Sequence, residues 1–153
     1  MAEQTIVITG ASSGFGEACA RIFASQGHRL ILTARRLEKL EQLRDELSGQ
    51  CPVHIVQLDV RDRVAVEKTV ASLPGDFKAV DVLVNNAGLA LGLEPAHRVD
   101  IEDWEVMVDT NVKGLMYCTR AILPGMVERN RGHVVNISST ASDWPYPGGN
   151  AYG

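Results

Sequence analysis

The sequence predicts an α/β protein built on a doubly wound parallel sheet. Three observations carry this. Short β-branched, apolar runs alternate with longer stretches whose apolar residues recur at helical spacing. The first run ends in a turn with three glycines, and a helix-forming stretch follows at once. The ends of all five runs carry small, polar or charged residues. Apolar strands alternating with helices imply parallel pairing and helices on both faces. The expected strand order is 3-2-1-4-5, reversing beside strand 1, and ligands bind in that crevice beyond the carboxyl ends of the strands.

The first strand is Thr5 to Thr9, and its turn is Gly10-Ala11-Ser12-Ser13-Gly14-Phe15-Gly16. Ala18, Cys19, Ile22 and Phe23 mark a helix, with Gly27 as its C-terminal cap. Leu30 to Ala34 is the second strand. Leu37, Leu40, Leu43 and Leu47 line one face of the next helix, punctuated by Ser48-Gly49 and Pro52. Val53 to Leu58 is the third strand. Asp62 can cap a helix carrying Val64, Val66, Val70 and Leu73, stopped at Pro74-Gly75. Val80 to Val84 is the fourth strand. After a longer connection, Asp100 reads as the N-cap of a helix running through Trp104, Asn111, Leu115 and Met126, with Asp103 in a capping-box-like position. Pro124 is expected to kink or end that helix. His133 to Ser139 is the fifth strand, and Ala141 to Gly153 is a loop rich in Pro, Gly and aromatics.

The 153 residues suit a single domain, 1–153, with 45% apolar and 22% charged residues. A net charge of −4 without a basic face argues against nucleic-acid binding. No apolar run approaches the roughly 20 residues of a membrane span. Met1-Ala2-Glu3-Gln4 lacks the basic start and apolar stretch of a signal peptide. Cys19, Cys51 and Cys118 are odd in number and far apart, so they read as reduced thiols in a cytoplasmic protein. No Cys or His pair has zinc-ligand spacing, and His28, His54, His97 and His133 are scattered.

The glycine pattern is G-x-x-x-G-x-G. Between a first strand and a first helix it makes a phosphate cradle, because the first helical N–H groups have no partner inside the helix and carry partial positive charge. Gly10, Ser12, Ser13, Gly14, Phe15 and Gly16 are therefore candidate cofactor contacts. A site for NAD usually places an acidic residue at the end of strand 2, about 20 residues on, to hold the ribose 2′-OH. This sequence has Ala34-Arg35-Arg36 there. Two guanidiniums suit a 2′-phosphate, which points to NADP. The competing reading is a solvated pair at a helix start, which the helix dipole disfavours. Asp59-Val60 would sit beside the adenine, with Asp59 accepting from its amine, although Asp59 or Asp62 can equally cap the next helix. Asn85-Asn86-Ala87-Gly88 brings amides to the end of strand 4, either to tie strands together or to line the cofactor.

Together, Thr9-Gly10-x-x-x-Gly14-x-Gly16, Asn85-Asn86-Ala87-Gly88, Asn111 within Asp109 to Gly114, Asn136-Ile137-Ser138-Ser139, and Tyr152 resemble the short-chain dehydrogenases/reductases. The resemblance covers the whole chain and implies a Rossmann-like fold. Within that family, Leu89 to His97 and Trp144-Pro145-Tyr146-x-Gly148-Gly149-Asn150 look like the NADP-dependent 3-hydroxy acid (serine, L-allo-threonine) dehydrogenases. The resemblance implies hydride transfer between NADP(H) and a small hydroxy acid or carbonyl compound. It implies Tyr152 as acid/base and cofactor contact, Ser139, thirteen residues earlier, polarising the same oxygen, and Asn111 holding a relay water. Read alone, Ser139 is a strand-end hydroxyl and Asn111 a helix-face amide. Family members form homodimers or homotetramers.

The family motif continues Tyr-x-x-x-Lys, and that Lys would fall beyond Gly153. A free Tyr has a pKa near 10, and the Lys is the cation that favours the phenolate. The sequence thus resembles about the first three-fifths of a family member, a dinucleotide-binding domain incomplete at its C-terminus and truncated before the last strands. Little turnover is expected from residues 1–153 alone. The alternative is an NADP(H)-binding module without catalysis, or an inactive fragment. The fifth strand would then be an open apolar edge, and the long helix would expose an apolar stripe.

Overall fold

β1 (Thr5–Thr9) lies at the centre of a five-stranded parallel sheet, paired with β2 (Arg29–Ala34) on one side and β4 (Val82–Asn85) on the other. β3 (Val53–Gln57) and β5 (His133–Asn136) form the edges, giving the order β3-β2-β1-β4-β5. This is the expected order, with its reversal between β1 and β4. The computed structural model describes residues 3–144 and 146–153; Met1, Ala2 and the Pro145 of the tail loop lie outside them.

Alternation along the strands sorts the core into two layers, because successive strand side chains point to opposite faces. Ile6, Ile8, Leu30, Leu32 and Val84 pack with α1 (Gly14–Ser25) and α2 (Leu37–Leu47) through Ala20, Ala24, Leu40, Leu43 and Leu47. Val7, Ile31 and Leu83 pack on the other face with α3 (Arg63–Ala71) and α5 (Leu115–Glu128) through Val66, Cys118, Ile122 and Met126. Burying each large apolar side chain contributes about 1.5–3 kcal/mol. Local capping agrees with this packing. Asp62 accepts from the Ala65 N–H at 3.0 Å, and Gly27 takes φ +77° just after α1. Asp100 accepts from the Glu102 N–H at 3.0 Å at the start of α4 (Ile101–Met107).

Three elements differ most from the sequence reading, and β3 stops one residue short, at Gln57 rather than Leu58. β4 begins at Val82 rather than Val80, whose carbonyl accepts from Arg129 Nη2 at 2.6 Å instead of joining the sheet. β5 ends at Asn136, because β4 ends at its partner Asn85; the Ile137 N–H makes one last bond to the Asn85 carbonyl at 2.9 Å. The long helix is not uniform. A π-helical segment, Val108–Gly114, joins α4 to α5, and α5 then passes through Pro124 to Glu128. Pro124 is tolerated where Arg120, Leu123 and Pro124 are all exposed, so the unpaired carbonyl one turn back can bond to water.

Candidate functional site

The carboxyl ends of the strands carry the candidate residues, and the turn after β1 is built most tightly. Gly10 and Gly14 take φ +66° and +58°, a conformation that favours glycine. A Cβ on Gly16 would lie 2.5 Å from Asn86 Nδ2 and 2.6 Å from the Gly10 carbonyl oxygen. A Cβ on Gly14 would meet nothing within 4 Å, so the turn is open above that residue. Ser13 is the N-cap of α1 and its side chain makes no capping bond.

Arg36 is laid across this turn. Its Nη2 donates to Ser12 Oγ at 3.0 Å and Ser13 Oγ at 2.9 Å, and its Nε lies 3.3 Å from Ser12 Oγ. The residue begins α2 in an extended conformation. Ser12, Ser13, Arg36 and Lys39 line an open cleft of about 380 Å³, which also holds Arg21 paired with Glu17 and Glu46. Arg35 is exposed, and its carbonyl accepts from Gln57 Nε2 at 2.9 Å. The set of donors suits phosphate oxygens: helix-start amides, two hydroxyls and guanidinium groups, with no carboxylate at the end of β2.

Asp59 and Asp62, which the sequence leaves as alternative caps, divide the work. Asp62 caps α3, while Asp59 takes three N–H donors from Arg61: the backbone N–H at 3.0 Å, Nε at 3.0 Å and Nη2 at 2.6 Å. The Arg61 hydrogen bonds hold the Asp59 carboxyl below its usual range against the opposing effect of burial. Val60 is buried against Gly114, where a Cβ would come within 2.6 Å of Val60 Cγ2.

The turn after β4 ties the site together. Asn86 Nδ2 donates to the carbonyls of Thr9 at 2.9 Å and Gly10 at 3.2 Å. Thr9 Oγ1 accepts from the N–H groups of Asn86 and Ala87, both at 3.0 Å. Asn85 Nδ2 donates to Thr119 Oγ1 and Asn136 Oδ1, both at 2.9 Å, linking β4 to α5 and β5. Of the two readings left open for this turn, strand tying is therefore observed for Asn85 and Asn86. Ala87 packs partly buried against the core, Gly88 is exposed, and a Cβ on Gly88 would lie 3.4 Å from Asn111 Oδ1.

Asn111 lies in the π segment, and both ends of its amide are occupied. Oδ1 accepts from the Leu89 N–H at 2.9 Å and Nδ2 donates to the Leu89 carbonyl at 2.8 Å. Its side chain thus pins the loop after Gly88. Ser139 Oγ accepts from the Ala141 N–H at 3.2 Å. Tyr152 is half-buried in a short 3₁₀ turn, Asn150–Tyr152. Asn150 holds that turn to the loop, its Nδ2 donating to the Glu94 carbonyl at 2.7 Å. Among the described residues, no hydrogen bond joins Asn111, Ser139 and Tyr152 to one another.

Three residues outside the sequence-derived set help build the site: Thr9, Arg61 and Asn150. Thr9 is a hydroxyl closing the apolar run Ile6 to Ile8, a signal visible in sequence. Arg61 follows a strand-end Asp by two residues. Asn150 closes a stretch named in the resemblance, but its φ of +48° and its partner in the Glu94 loop appear only in the fold. No helix among the described residues is long and apolar enough to cross a membrane. No group of three or more His, Cys, Asp or Glu among them is placed to hold a metal ion.

The sequence model of the family described as short chain dehydrogenase matches residues 4–153. An NADP-dependent 3-hydroxy acid dehydrogenase of Escherichia coli O6:H1 is 60% identical over 148 residues, covering 97% of this chain and 59% of that protein. A sulfoacetaldehyde reductase of Chromohalobacter salexigens is 52% identical over 149 residues, again covering 97% and 59%. Among solved structures, the closed form of serine dehydrogenase complexed with NADP+ superposes with a TM-score of 0.93 at 59% identity, covering 97% of this chain and 59% of that one. The chain thus spans about three-fifths of the length of these relatives.

Proposed function

The chain belongs to the short chain dehydrogenase family, and on that premise we propose that it carries the NADP(H) site of an oxidoreductase acting on a small 3-hydroxy acid or a related alcohol or carbonyl compound. The observation that carries this reading is Arg36 lying on the hydroxyls of Ser12 and Ser13, at a strand end without a carboxylate. A 2′-phosphate offers oxygens to the same guanidinium and hydroxyls, whereas a bare ribose 2′-OH has no carboxylate there to hold it.

The turn from Gly10 to Gly16 holds the pyrophosphate in this proposal. Arg35, Arg36, Ser12 and Ser13 hold the 2′-phosphate. Asp59 and Val60 meet the adenine, and Asn85 to Gly88 hold the turn that borders the cofactor. The bound cofactor supplies or accepts the hydride. Tyr152 is the proposed acid/base, its phenol O–H able to donate to a carbonyl oxygen. Ser139 is the proposed polarising group. Its oxygen already accepts from Ala141, which leaves its O–H proton to donate to the substrate oxygen. Asn111 keeps the Leu89 loop in place beside them.

The substrate class follows the names of the relatives. Homo-oligomerisation, as a dimer or tetramer, is supported by the exposed apolar residues Val108, Val112, Met116, Leu123 and Val127 along the π segment and α5. A cytoplasmic location is supported by the three free thiols of Cys19, Cys51 and Cys118.

The test is a titration of the chain with NADPH and NADH, following cofactor fluorescence. Saturable binding with a clear preference for NADPH supports the reading. No binding of NADPH at millimolar concentration overturns it.

A further inference from the structure

Tyr152 takes its direction from a turn that has little of its own to hold it. Asn150–Tyr152 is a single 3₁₀ turn, closed by the Tyr152 N–H on the Gly149 carbonyl at 2.9 Å, and Ala151 in its middle is exposed. The contacts that fix it come from the connection after β4. Both protons of the Asn150 amide are used: Nδ2 donates to the Glu94 carbonyl at 2.7 Å and to the Gly148 carbonyl at 3.2 Å. Gly148, at φ +84°, lies against the same connection, and a Cβ there would come within 2.5 Å of the Leu93 carbonyl oxygen. Asn150 itself stands at φ +48°, which asparagine adopts more readily than most residues with a side chain. Asparagine therefore meets two demands at once, a left-handed backbone and an amide donor.

The connection that receives these contacts is anchored at its base. Asn111 bonds both the N–H and the carbonyl of Leu89, and the Leu91 N–H lies 3.4 Å from Met107 Sδ. Every residue from Gly92 to Arg98 is exposed, so core packing does not fix the tip. One run of contacts thus leads from the π segment through Leu89 and Glu94 to Asn150, and two residues on to Tyr152.

We infer that Asn150 is a positioning residue for Tyr152: by holding the Glu94 carbonyl, it sets the phenol in place beside the cofactor. The inference rests on the NADP(H) reading above. A misplacement of about 1 Å at a reacting group costs about a hundredfold in rate. One exposed hydrogen bond contributes little to the stability of a fold. The Asn150 bond therefore matters for where the phenol points more than for whether the chain folds.

The experiment incorporates 3-fluorotyrosine at Tyr117, Tyr146 and Tyr152 and follows the fluorine NMR signal of Tyr152, assigned with Tyr152→Phe. In wild type this signal is expected to move when NADPH binds. Asn150→Gly keeps the left-handed backbone and removes the amide. It is expected to bind NADPH within about twofold of wild type, by cofactor fluorescence, and to lose most of the NADPH-induced movement of the Tyr152 signal. The Tyr117 signal, in α5, is expected to stay in place. Asn150→Asp has no donor for the Glu94 carbonyl, and Gly148→Ala pushes the Leu93 carbonyl away from the other side. Both are expected to follow Asn150→Gly, and they carry the test if that variant does not fold. Urea unfolding checks the fold; a purely structural role would lower the unfolding midpoint and leave the movement of the signal intact. Folded variants whose Tyr152 signal responds to NADPH as in wild type, or a wild type that binds NADPH without moving it, overturn the inference and leave the NADP(H) site standing. Failure of wild type to bind NADPH at all overturns both.

Discussion

Asn86 is bonded twice to Thr9, 77 residues away: its amide donates to the Thr9 carbonyl at 2.9 Å, and its backbone N–H donates to Thr9 Oγ1 at 3.0 Å. The pair locks the turn after β4 to the turn after β1, and Gly16 lies against it. Gly16→Ala would drive a Cβ to 2.5 Å from the Asn86 amide and 2.6 Å from the Gly10 carbonyl to which that amide donates. We expect a loss of about 1–3 kcal/mol in stability and at least about tenfold in NADPH affinity. Gly14→Ala is the control. It meets open space and costs only the strain of a positive φ, about 1–2 kcal/mol. Urea unfolding and NADPH titration of both variants check this. A Gly16→Ala protein that binds as well as Gly14→Ala counts against a rigid cradle.

Arg36→Ala separates the phosphate role of Arg36 from a structural one. Its bonds to Ser12 and Ser13 are exposed and contribute little to stability. A charge-assisted contact to a 2′-phosphate is a larger effect, about 1.5–3 kcal/mol. The variant should therefore bind NADPH about ten- to hundredfold more weakly while its NADH affinity changes by less than about threefold. Equal losses for both cofactors would mean that Arg36 serves the turn alone.

These two sites also mark what sequence can and cannot disclose. The strand order follows from the alternation of apolar runs with helices and from one glycine turn, because parallel strands of this kind leave few topologies. The cradle is legible because Gly10 and Gly14 need a positive φ. The π segment is not legible. Val108–Gly114 has ordinary helical spacing, and its geometry is associated with tertiary contacts: Asn111 on the Leu89 backbone and Gly114 on Val60. Pro124 misleads for a similar reason, since exposure of the neighbouring turn decides whether a helix survives a proline. The Asp59–Arg61 pair is visible as residue types but not as a pair, because either Asp of the Asp59–Asp62 stretch could have capped α3.

Gly114 and Val60 should behave as one packing unit. Gly114→Ala places a methyl 2.6 Å from Val60 Cγ2 and 3.0 Å from Val60 Cβ. Overpacking of this kind costs about 1–3 kcal/mol. Val60→Ala removes the obstructing methyls at its own cost, so the double variant should be more stable than the sum of the single losses predicts, by about 1 kcal/mol or more. Urea unfolding of the four proteins measures this coupling. Strict additivity would show that the backbone moves aside instead.

The exposed stripe on the π segment and α5 predicts association. Met116 is 58% exposed and Val127 69%, and both lie on the stripe that includes Val112. Val112→Lys combined with Met116→Lys should shift the sedimentation profile towards monomer and leave NADPH affinity within about twofold, since neither residue belongs to the cradle. A wild-type chain that already sediments as a monomer at high concentration removes this reading.

Cys118 gives stability a dependence on alkaline pH. Its side chain is 3% exposed between α5 and the sheet, and burial pushes the thiol up to about 11. An unfolded thiol ionises near 8.5. Below that pH both states keep the proton, and the contribution of the buried thiol is fully present. As pH rises from about 8.5 towards the folded value, the unfolded chain loses its proton first and is favoured by about 1.4 kcal/mol per pH unit. The contribution is therefore lost on the alkaline side of neutrality. Cys118→Ala should cost about 1–2 kcal/mol at pH 7, through lost packing. The gap between wild type and variant should close between about pH 9 and pH 10 and be reversed in sign by about pH 10.5. Cys51, whose thiol burial also raises, is present in both proteins, so its effect cancels in the difference. Urea unfolding at four pH values across this window reads the gap directly, and a constant gap would show that the Cys118 thiol ionises as readily in the fold as outside it.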